Sequence, residues 1–473
     1  MMNNTKIVAT LGPASANKET MLEMIRAGVN VFRINFSHGS HAVHKKTIRL
    51  IQDINDQFGF NIATLADLQG PKLRIGNVVE GAFISPSDII EFTTIPCEGT
   101  SKKVYMNYKN FPADVQVGET VLLDDGKLHM VVEETNGVDM VRARVTQGGP
   151  LNSNKGVNLP NTAISLPCLT KKDIEDLEVA LHAGVEWIGL SFVRNASDVQ
   201  ELRERIERSG HKAWIVSKIE KPEAVVDIDN ILNVTDAVMV ARGDLGVEVP
   251  LQSVPLIQKM IVEKCHIKSK PVIIATQMME TMITSLTPTR AEVNDVANAV
   301  LDGTDAVMLS GETSVGKFPV DVIKTMSKII SHVEDSADIT VKKENPPRIR
   351  NERFVTKSIC YNASKIADQI GATAILTMTH SGYTAFKIAS HRPKSKIIVF
   401  TSNKSLLNTL SLIWGVRGFY YSRMESTDQT FHDIKDIVRD KKIVSKGDLL
   451  IKISSMPIQE RGMTNTINIS VVD

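Results

Sequence analysis

Charged and polar side chains recur at alternate positions in several short β-branched runs of this chain. Arg33, Asn35 and Ser37 alternate with apolar residues in VFRINFS, so on a strand they share one face. Lys218 and Glu220 share a face of WIVSKIE in the same way. An unpaired charge in a dry interior is costly, so these residues must either line a site or find partners inside the core.

The residue types suit a metal ion and a phosphorylated anion. Glu220 and Asp244 supply two carboxylates, and Mg²⁺ prefers oxygen ligands, with water and substrate oxygens completing six. Arg33 and Lys218 supply fixed positive charge for an anionic substrate and for a phosphoryl group in transfer. The alternative is a set of internal ion pairs, with Asp67, that bind nothing. For the whole group of residues, we favour a binding site over a set of internal ion pairs.

The elements that must position these residues are eight β-branched runs, most of them separated by amphipathic stretches of helix length. The runs are KIVATLG from Lys6, VFRINFS from Val31, IATLADL from Ile62, WIGLSFV from Trp187, WIVSKIE from Trp214, AVMVARGDLG from Ala237, PVIIATQM from Pro271 and AVMLSGE from Ala306. Eight such units predict an α/β fold, a (β/α)8 TIM barrel, whose active site lies at the C-terminal ends of the strands. Arg242-Gly243-Asp244 and Thr276-Gln277 end their runs at that face.

Between Gly70 and about Pro167, predicted hairpins interrupt the alternation of strands and helices. Asp125-Gly126 and Asn136-Gly137 in this stretch are signals for type I′ turns. We predict a small all-β domain inserted above the barrel as a lid, because closure over a site excludes water. The alternative is that the inserted domain has no role in the function of the site.

A second, C-terminal α/β domain is indicated after the linker KKENPPRIRN by the strands AILTMT, KIIVFT, LLIKIS and INISVV. The predicted domains are a barrel of residues 1–70 and 168–340, a lid of residues 71–167, and a C-terminal regulatory domain of residues 341–473.

Composition narrows the class of protein. The formal net charge of +1 over 473 residues gives no reason to expect nucleic acid or an anionic membrane as partner. The start of the chain lacks a signal peptide, and no apolar stretch approaches the roughly 20 residues that span a bilayer. The four cysteines form no CxxC pair, which indicates free thiols rather than zinc or disulfides. Together these features predict a cytoplasmic protein.

Two motifs are set aside. Residues 311–318 nearly match the phosphate loop GxxxxGK[ST], but Phe318 stands where the metal-binding hydroxyl belongs, so we predict a strand-end loop. Thr289 and Glu292 have the spacing of a capping box, which starts a helix.

Several sequence blocks together resemble the pyruvate kinase family. They are TKIVATLGPAS, NVFRINFSHG, LADLQGPKLR, NKGVNLP, SKIEKPEA, MVARGDLGVE, ATQMMETM, PTRAEVNDVANAVLDGTDAVMLSGE and the terminal TNT. The resemblance implies glycolytic transfer of the phosphoryl group of phosphoenolpyruvate to ADP, giving pyruvate and ATP. It also implies Mg²⁺ as cofactor, with Mn²⁺ able to replace it, and an allosteric homotetramer.

The resemblance also implies residue roles. The metal ligands are Glu220 and Asp244, and Lys218 stabilises the phosphoryl group in transfer. Phosphoenolpyruvate is contacted by Arg33, Lys218, Gly243, Asp244 and Thr276. The nucleotide phosphates lie near Asn35, Ser37, His38, Arg74 and Lys155, with Lys155 on the return strand of the lid. For Thr276 we expect a hydroxyl that positions a proton-donating water.

One block departs from the potassium-dependent pattern Asp-Thr-Lys-Gly-Pro-Glu. This chain has DLQGPK, in which Leu68 removes a hydroxyl and Lys72 replaces a carboxylate with an ammonium. The block resembles the potassium-independent branch, so we predict activity without added K⁺. The alternative is that Lys72 points to solvent and K⁺ still binds through Asn35, Ser37 and Asp67.

A phosphate-binding loop is also predicted in the C-terminal domain. Thr379, Ser381, Gly382 and Thr384 precede a helix, where hydroxyl and backbone N–H groups suit a phosphate. The second loop, residues 456–464, lacks the glycine-rich run of relatives activated by fructose bisphosphate. A sugar phosphate, a nucleotide or a plain helix cap therefore all stay open.

Two other functions fit the same barrel. A magnesium-dependent enolate lyase or aldolase would use paired carboxylates and an arginine, but it needs no nucleotide clamp such as Arg74 and Lys155. A catalytically inactive metabolite sensor would not need Arg33, Lys218, Glu220 and Asp244 together.

Overall fold

Eight parallel strands form a closed barrel in the computed structural model, which describes residues 3–337, 339, 341, 353–423, 426–456 and 463–473. The strands are β1 Lys6–Thr10, β2 Val29–Asn35, β3 Ala63–Asp67, β4 Trp187–Leu190, β5 Trp214–Ile219, β6 Ala237–Ala241, β7 Val272–Ala275 and β8 Ala306–Leu309. All eight predicted strands are confirmed. The barrel closes where β1 pairs with β8, with Lys6 opposite Ala306.

Helices cover the outside of the barrel. Their bounds are Lys18–Ala27, His41–Phe58, Lys171–Ala183, Ala196–Arg208, Pro222–Val226, Ile228–Val234, Arg242–Glu248, Val254–Lys268, Arg290–Leu301, Gly311–Ser314 and Pro319–Ser336, with 3₁₀ turns at Leu251–Ser253 and Glu280–Ile283. The strands are buried on both faces, β1, β3 and β6 along their whole length, which is why they are continuous β-branched runs. The capping box of Thr289 and Glu292 is confirmed, and residues 311–318 follow β8 as expected.

The lid is inserted between β3 and the helix Lys171–Ala183. Its six-stranded sheet has the order Val157–Asn158, Thr120–Leu123, Leu128–Thr135, Met140–Gln147, Ile89–Thr93, Lys103–Tyr105, beside the helix Phe111–Asp114 and the paired segments Phe83–Ile84 and Gly149–Pro150. It has its own hydrophobic core. The inserted all-β domain is therefore confirmed.

Only one of the two predicted type I′ turns is present. Asp125 and Gly126 both have positive φ, 55° and 79°, as that turn requires. At the other site Gly137 has positive φ but Asn136 does not. The Asn136 side chain instead accepts hydrogen bonds from the backbone N–H groups of the next residues, beginning with Val138 at 2.9 Å. The type I′ prediction is wrong there because the asparagine side chain organises a different turn.

The C-terminal domain is a five-stranded sheet with helices. The strand order is Val416–Tyr420, Lys396–Thr401, Ala374–Met378, Leu449–Ser454, Thr466–Val471, and only the last strand is antiparallel to its neighbour. The helices are Phe354–Ile370, Tyr383–Ala389, Lys404–Thr409 and Thr427–Asp440, with a 3₁₀ turn at Leu410–Leu412. The four predicted strands are confirmed and Val416–Tyr420 was missed. The predicted linker, residues 342–351, lies outside the described residues.

This domain packs against the N-terminal ends of the barrel strands, opposite the predicted active site. Trp214, the first residue of β5, stacks on Phe386 with ring centroids 5.1 Å apart. Lys6, the first residue of β1, donates to the carbonyl of Val416 at 3.0 Å. Across the described residues, no helix combines the length and apolarity needed to cross a membrane.

Candidate active site

The predicted site residues meet at the C-terminal ends of neighbouring barrel strands. Strand β2 presents Arg33 and Asn35, and Asn35 lies opposite Asp67 of β3 in the register of the sheet. Strand β5 carries Lys218 and leads directly into Glu220. Gly243 and Asp244 belong to the helix that follows β6, and Thr276 follows β7. Parallel strands end at one edge, so these residues form a single group.

A chain of charged contacts connects four of them. Asp67 Oδ2 lies 2.6 Å from Nη2 of Arg33, and Asp67 Oδ1 lies 3.3 Å from Nζ of Lys218. Lys218 Nζ is also 2.9 Å from Oε1 of Glu220. These are the internal ion pairs that the sequence left open as an alternative. They do not include Asp244, whose side chain has no hydrogen bond or ion pair with any other described residue.

The electrostatics of the group follow from its burial. Burial alone would raise the pKa of Asp67, but the Lys218 and Arg33 charges outweigh it and hold that pKa below its ordinary value. Burial opposes the charge of Lys218, yet Asp67 and Glu220 raise its pKa above the usual range, so it stays an ammonium. Burial raises the pKa of Glu220 to about 7, against the effect of Lys218 and with a further rise from nearby Asp244.

The charge balance and the donor set fit a divalent cation. With all five groups ionised, Arg33 and Lys218 contribute +2 and Asp67, Glu220 and Asp244 contribute −3, which leaves −1. Glu220 and Asp244 could hold the ion as oxygen ligands. No three His, Cys, Asp or Glu side chains gather as metal ligands in the part of the chain that the structure describes. Two protein carboxylates leave the other positions of a six-coordinate ion to water and substrate.

Thr276 lies in a strained turn. Its φ is 69° and that of Gln277 is 54°, both unusual for residues with a Cβ. The Thr276 hydroxyl donates to the carbonyl of Ala275 at 2.6 Å and accepts from the N–H of Gly243 at 2.7 Å. Its proton is thus engaged with the backbone. Gly243 and Thr276 are brought into direct contact, as their predicted shared role requires.

Arg242 holds this turn in place, and sequence reasoning gave it no role. Its guanidinium donates to both carboxylate oxygens of Asp295 at 2.7 Å and to the carbonyl of Thr276 at 2.7 Å. The RGD triplet at the strand end was a signal for this position, but the partner Asp295 lies on a distant helix.

The predicted nucleotide residues fall into two groups that the structure does not bring into contact. Asn35 Oδ1 accepts from the N–H of Ser37 at 3.1 Å, and His38 is exposed beside them on the barrel. Arg74 and Lys155 lie on the lid. Arg74 donates to the carbonyl of Asn154 at 3.2 Å, and Lys155 pairs with Asp124 at 2.9 Å.

The residues of the cation region predicted from the sequence differ in burial and in contacts. Asp67 faces Arg33 and Lys218, and Leu68 is buried in the barrel core with 1% exposure. Lys72 is exposed and lines the cleft between lid and barrel together with Asp244.

The predicted phosphate loop of the C-terminal domain is ordered by its own contacts. Thr379 Oγ1 accepts from the N–H of Gly382 at 2.9 Å, and Thr384 bonds Thr464 at 3.0 Å. Ser381 is exposed. Most of the facing loop, residues 457–462, lies outside the described residues.

Comparison with known proteins matches almost the whole chain. The family model "Pyruvate kinase, barrel domain" covers residues 2–323, and "Pyruvate kinase, alpha/beta domain" covers residues 357–470. A pyruvate kinase from Corynebacterium efficiens is 41% identical over 100% of this chain and 98% of its own length. "Pyruvate kinase 2" from Synechocystis is 42% identical over 99% of this chain and 79% of its own length. The chain belongs to the pyruvate kinase family.

A solved structure supports the same assignment. The crystal structure of a pyruvate kinase from Cryptosporidium parvum superimposes with a TM-score of 0.92 at 33% identity, covering 100% of this chain and 96% of that one. The chain is therefore a pyruvate kinase enzyme, and its barrel, inserted β-domain and C-terminal α/β domain are those of its relatives.

Two further residues of this pyruvate kinase site were missed by sequence reasoning. Ser191 Oγ lies 2.7 Å from Nζ of Lys218, and the N–H of Phe192 donates to Oε2 of Glu220 at 2.8 Å. Both follow β4, and a lone serine and phenylalanine after a strand carry no spacing signal. The apolar residues Trp187–Leu190 that precede them gave no indication of a site either.

Proposed function

We propose that this pyruvate kinase transfers the phosphoryl group of phosphoenolpyruvate to ADP at the C-terminal end of the barrel, with the substrate against Lys218 and Arg33. The observation that carries the assignment of roles is the contact series Arg33–Asp67–Lys218–Glu220, beside the unpaired carboxylate of Asp244. It places two fixed cations beside the carboxylates of Glu220, which is buried, and Asp244, which is exposed.

The division of labour follows from the charges. Glu220 and Asp244 would hold Mg²⁺, or Mn²⁺, and the ion would supply Lewis-acid charge at the phosphoryl oxygens. Lys218, kept positive by its carboxylate neighbours, stabilises negative charge on the phosphoryl group in transfer. Arg33 orients the anionic substrate with Gly243 and Thr276. Since the Thr276 hydroxyl is committed to the backbone, a water positioned by it is the better proton donor to enolpyruvate.

The nucleotide phosphates would bind between the two halves of the cleft. Asn35, Ser37 and His38 approach from the barrel, and Arg74 and Lys155 approach from the lid. Because Lys155 pairs with Asp124 in this arrangement, it must exchange that partner for a phosphate when the lid closes over ADP. This exchange favours a kinase over an enolate lyase or aldolase, which has no nucleotide to clamp.

Potassium independence is part of the proposal. Leu68 offers no side-chain oxygen and is buried, while both carboxylate oxygens of Asp67 face cationic side chains. The Lys72 ammonium lines the cleft that contains Asp244 and would supply the positive charge that K⁺ would give.

Regulation and assembly are proposed from the domain plan. We assign catalysis to residues 1–70 and 168–340, lid closure to residues 71–167 and allosteric control to residues 341–473, in a cytoplasmic homotetramer. The loop with Thr379, Ser381, Gly382 and Thr384 would receive the phosphate of a sugar-phosphate or nucleotide effector. Saturation curves for phosphoenolpyruvate, measured with a sugar phosphate or a nucleotide in the buffer, would identify the effector by the shift that it causes.

The central test is a coupled assay that measures pyruvate and ATP together. Lys218→Met is expected to lower kcat by about 10²–10³-fold or more, the cost of removing one preorganised electrostatic contact from a transition state. Lys270→Met is the matched control, since Lys270 is a largely buried lysine that bonds the Thr235 carbonyl far from the site. Near-normal turnover of Lys218→Met would contradict the role, and pyruvate formed without ATP would contradict the reaction.

A further inference from the structure

We propose that Ser191 is a positioning residue for the phosphoryl transfer, and that the turn it begins with Phe192 fixes both Lys218 and Glu220. This inference rests on the proposed function, because it takes Lys218 as the residue that stabilises the phosphoryl group. Neither Ser191 nor Phe192 carries a charge, so their effect on the reaction must pass through the two residues they contact.

Ser191 forms two short hydrogen bonds in a buried position. Its Oγ lies 2.7 Å from Nζ of Lys218 and 2.7 Å from the carbonyl oxygen of Leu68, and the residue is only 2% exposed. The carbonyl can only accept, so the hydroxyl proton points to Leu68. The Ser191 oxygen is then available to Lys218 solely as an acceptor, so Lys218 donates one of its N–H groups to it.

Phe192 fixes the other member of the pair. Its backbone N–H donates to Oε2 of Glu220 at 2.8 Å, while Lys218 occupies Oε1 at 2.9 Å. The two Glu220 oxygens are thereby oriented from opposite sides. Phe192 reaches this position with φ of 54°, a conformation that costs a bulky residue free energy and that persists only where the surroundings enforce it.

The loop after β3 enforces that turn. Gly70 packs directly on it, and a Cβ at Gly70 would lie 2.7 Å from Cδ2 of Phe192 and 3.0 Å from Cβ of Ser191. Cys168 Sγ donates to the Ser191 carbonyl at 3.1 Å. The turn is therefore held between two elements and cannot move without displacing them.

The Lys218 ammonium donates to Ser191 and forms ion pairs with Glu220 and Asp67. Glu220 would also hold the metal ion, and the ammonium beside it would then face the phosphoryl group. Ser191 and Asp67 then keep the ammonium at the C-terminal edge of β3 and β4, so the charge is placed before the phosphoryl group arrives.

The test compares two buried serines. Ser191→Ala is expected to lower kcat about tenfold, a barrier change of about 1.4 kcal/mol, with little change in KM for ADP. The matched control is Ser217→Ala, because Ser217 is fully buried beside Lys218 in the sequence but bonds Thr235 at 2.8 Å. Ser191→Cys keeps a side chain of similar volume but offers Lys218 a much weaker acceptor. If Ser191 positions Lys218, the kcat of Ser191→Cys should be as low as that of Ser191→Ala. If Ser191 only fills space, the kcat of Ser191→Cys should be normal.

The outcomes separate this inference from the proposed function. If Lys218→Met is impaired and Ser191→Ala matches Ser217→Ala in kcat, Ser191 has no positioning role while the function stands. If Lys218→Met is itself near normal, the assignment of Lys218 fails, and with it the basis of this inference. Melting temperatures of all the variants, with Ser191→Cys as the least disruptive one, show whether a loss of rate is a loss of fold.

Discussion

At the scale of single residues, the proposal of activity without potassium depends on Leu68 and Lys72. Leu68 is buried in the barrel core, and Lys72 lines a cleft together with Asp244. A covalently tethered ammonium pays no translational entropy when the cleft closes. Under the proposal, Lys72 therefore replaces a dissociable charge with a permanent one.

We expect turnover in sodium-only buffer to match that in potassium buffer. Lys72→Glu removes the tethered charge, so its turnover without potassium is expected to fall by about tenfold or more, a barrier change of about 1.4 kcal/mol, and to recover in part when K⁺ is added. Steady-state assays in the two buffers measure this. Lys102→Glu makes the same charge change at another exposed lid lysine and is the control. A many-fold loss of wild-type activity without potassium contradicts the proposal.

At the scale of elements, the lid is attached to the barrel through a buried ion pair. Glu248 Oε1 lies 2.9 Å from Nζ of Lys221 and accepts from Nδ2 of Asn158 on the return strand of the lid at 2.8 Å. Lys221 directly follows Glu220, and Glu248 ends the helix that carries Asp244. The lid strand with Lys155 is thus connected to the segments that bear both proposed metal ligands.

Asn158→Asp is expected to open the lid. The new carboxylate would face Glu248 without a proton to donate, and losing a hydrogen bond to a buried charged group costs about 1.5–3 kcal/mol. We predict a higher KM for ADP and faster amide hydrogen exchange in residues 72–166, with kcat less affected. Asn161→Asp, at an exposed lid position, should change neither quantity. An unchanged KM for ADP in Asn158→Asp would show that this contact does not govern closure.

At the scale of the whole molecule, a buried polar network joins the barrel to the C-terminal domain. Arg392 donates to Asp305 at 2.8 Å and to the Gly303 carbonyl at 2.7 Å. Asp305 also accepts from the N–H of Trp414 at 3.2 Å. His266 bonds the Gly303 carbonyl at 2.8 Å. The network lies opposite the active site, and it fixes the C-terminal domain against the N-terminal ends of the barrel strands.

This junction predicts sensitivity to acid. Burial lowers the pKa of His266 to about 4, with Arg392 adding to the effect and Asp305 opposing it. In the unfolded chain His266 binds a proton near pH 6.5, whereas in the folded chain it stays neutral down to about pH 4. The free energy of unfolding therefore decreases as pH falls from about 6.5 to about 4, by up to about 3 kcal/mol.

Denaturant unfolding at several pH values between 4 and 8 measures this loss. His266→Gln keeps an N–H donor for Gly303 and has no proton to gain, so its stability should fall less over the same interval. Parallel curves for the two proteins would show that His266 does not titrate as we infer.

The barrel could be predicted from the sequence because a strand that is buried on both faces needs apolar residues at nearly every position. Such strands appear in the sequence as continuous β-branched runs. The strand Val416–Tyr420 escaped notice because Arg417 and Gly418 interrupt its apolar pattern. The turn at Asn136 was misassigned because side-chain hydrogen bonds, which the dipeptide pattern does not encode, decide its geometry.

The site was predictable to the extent that its residues share a strand face. Lys218 and Glu220 are two residues apart, so their common direction follows from the strand period. Ser191, Phe192 and Arg242 act through neighbours that are distant in sequence. Their functions arise from contacts between strands, which a single sequence does not specify.

The pairing of β1 with β8 has a consequence for how the chain is made. Residues 6–9 lie opposite residues 306–309, so the first strand emerges from the ribosome long before its partner exists. At typical synthesis rates the delay is about 15 to 60 s. Throughout that time one edge of the nascent sheet stays open to other chains, so we expect the incomplete chain to associate with other chains more readily than the finished barrel.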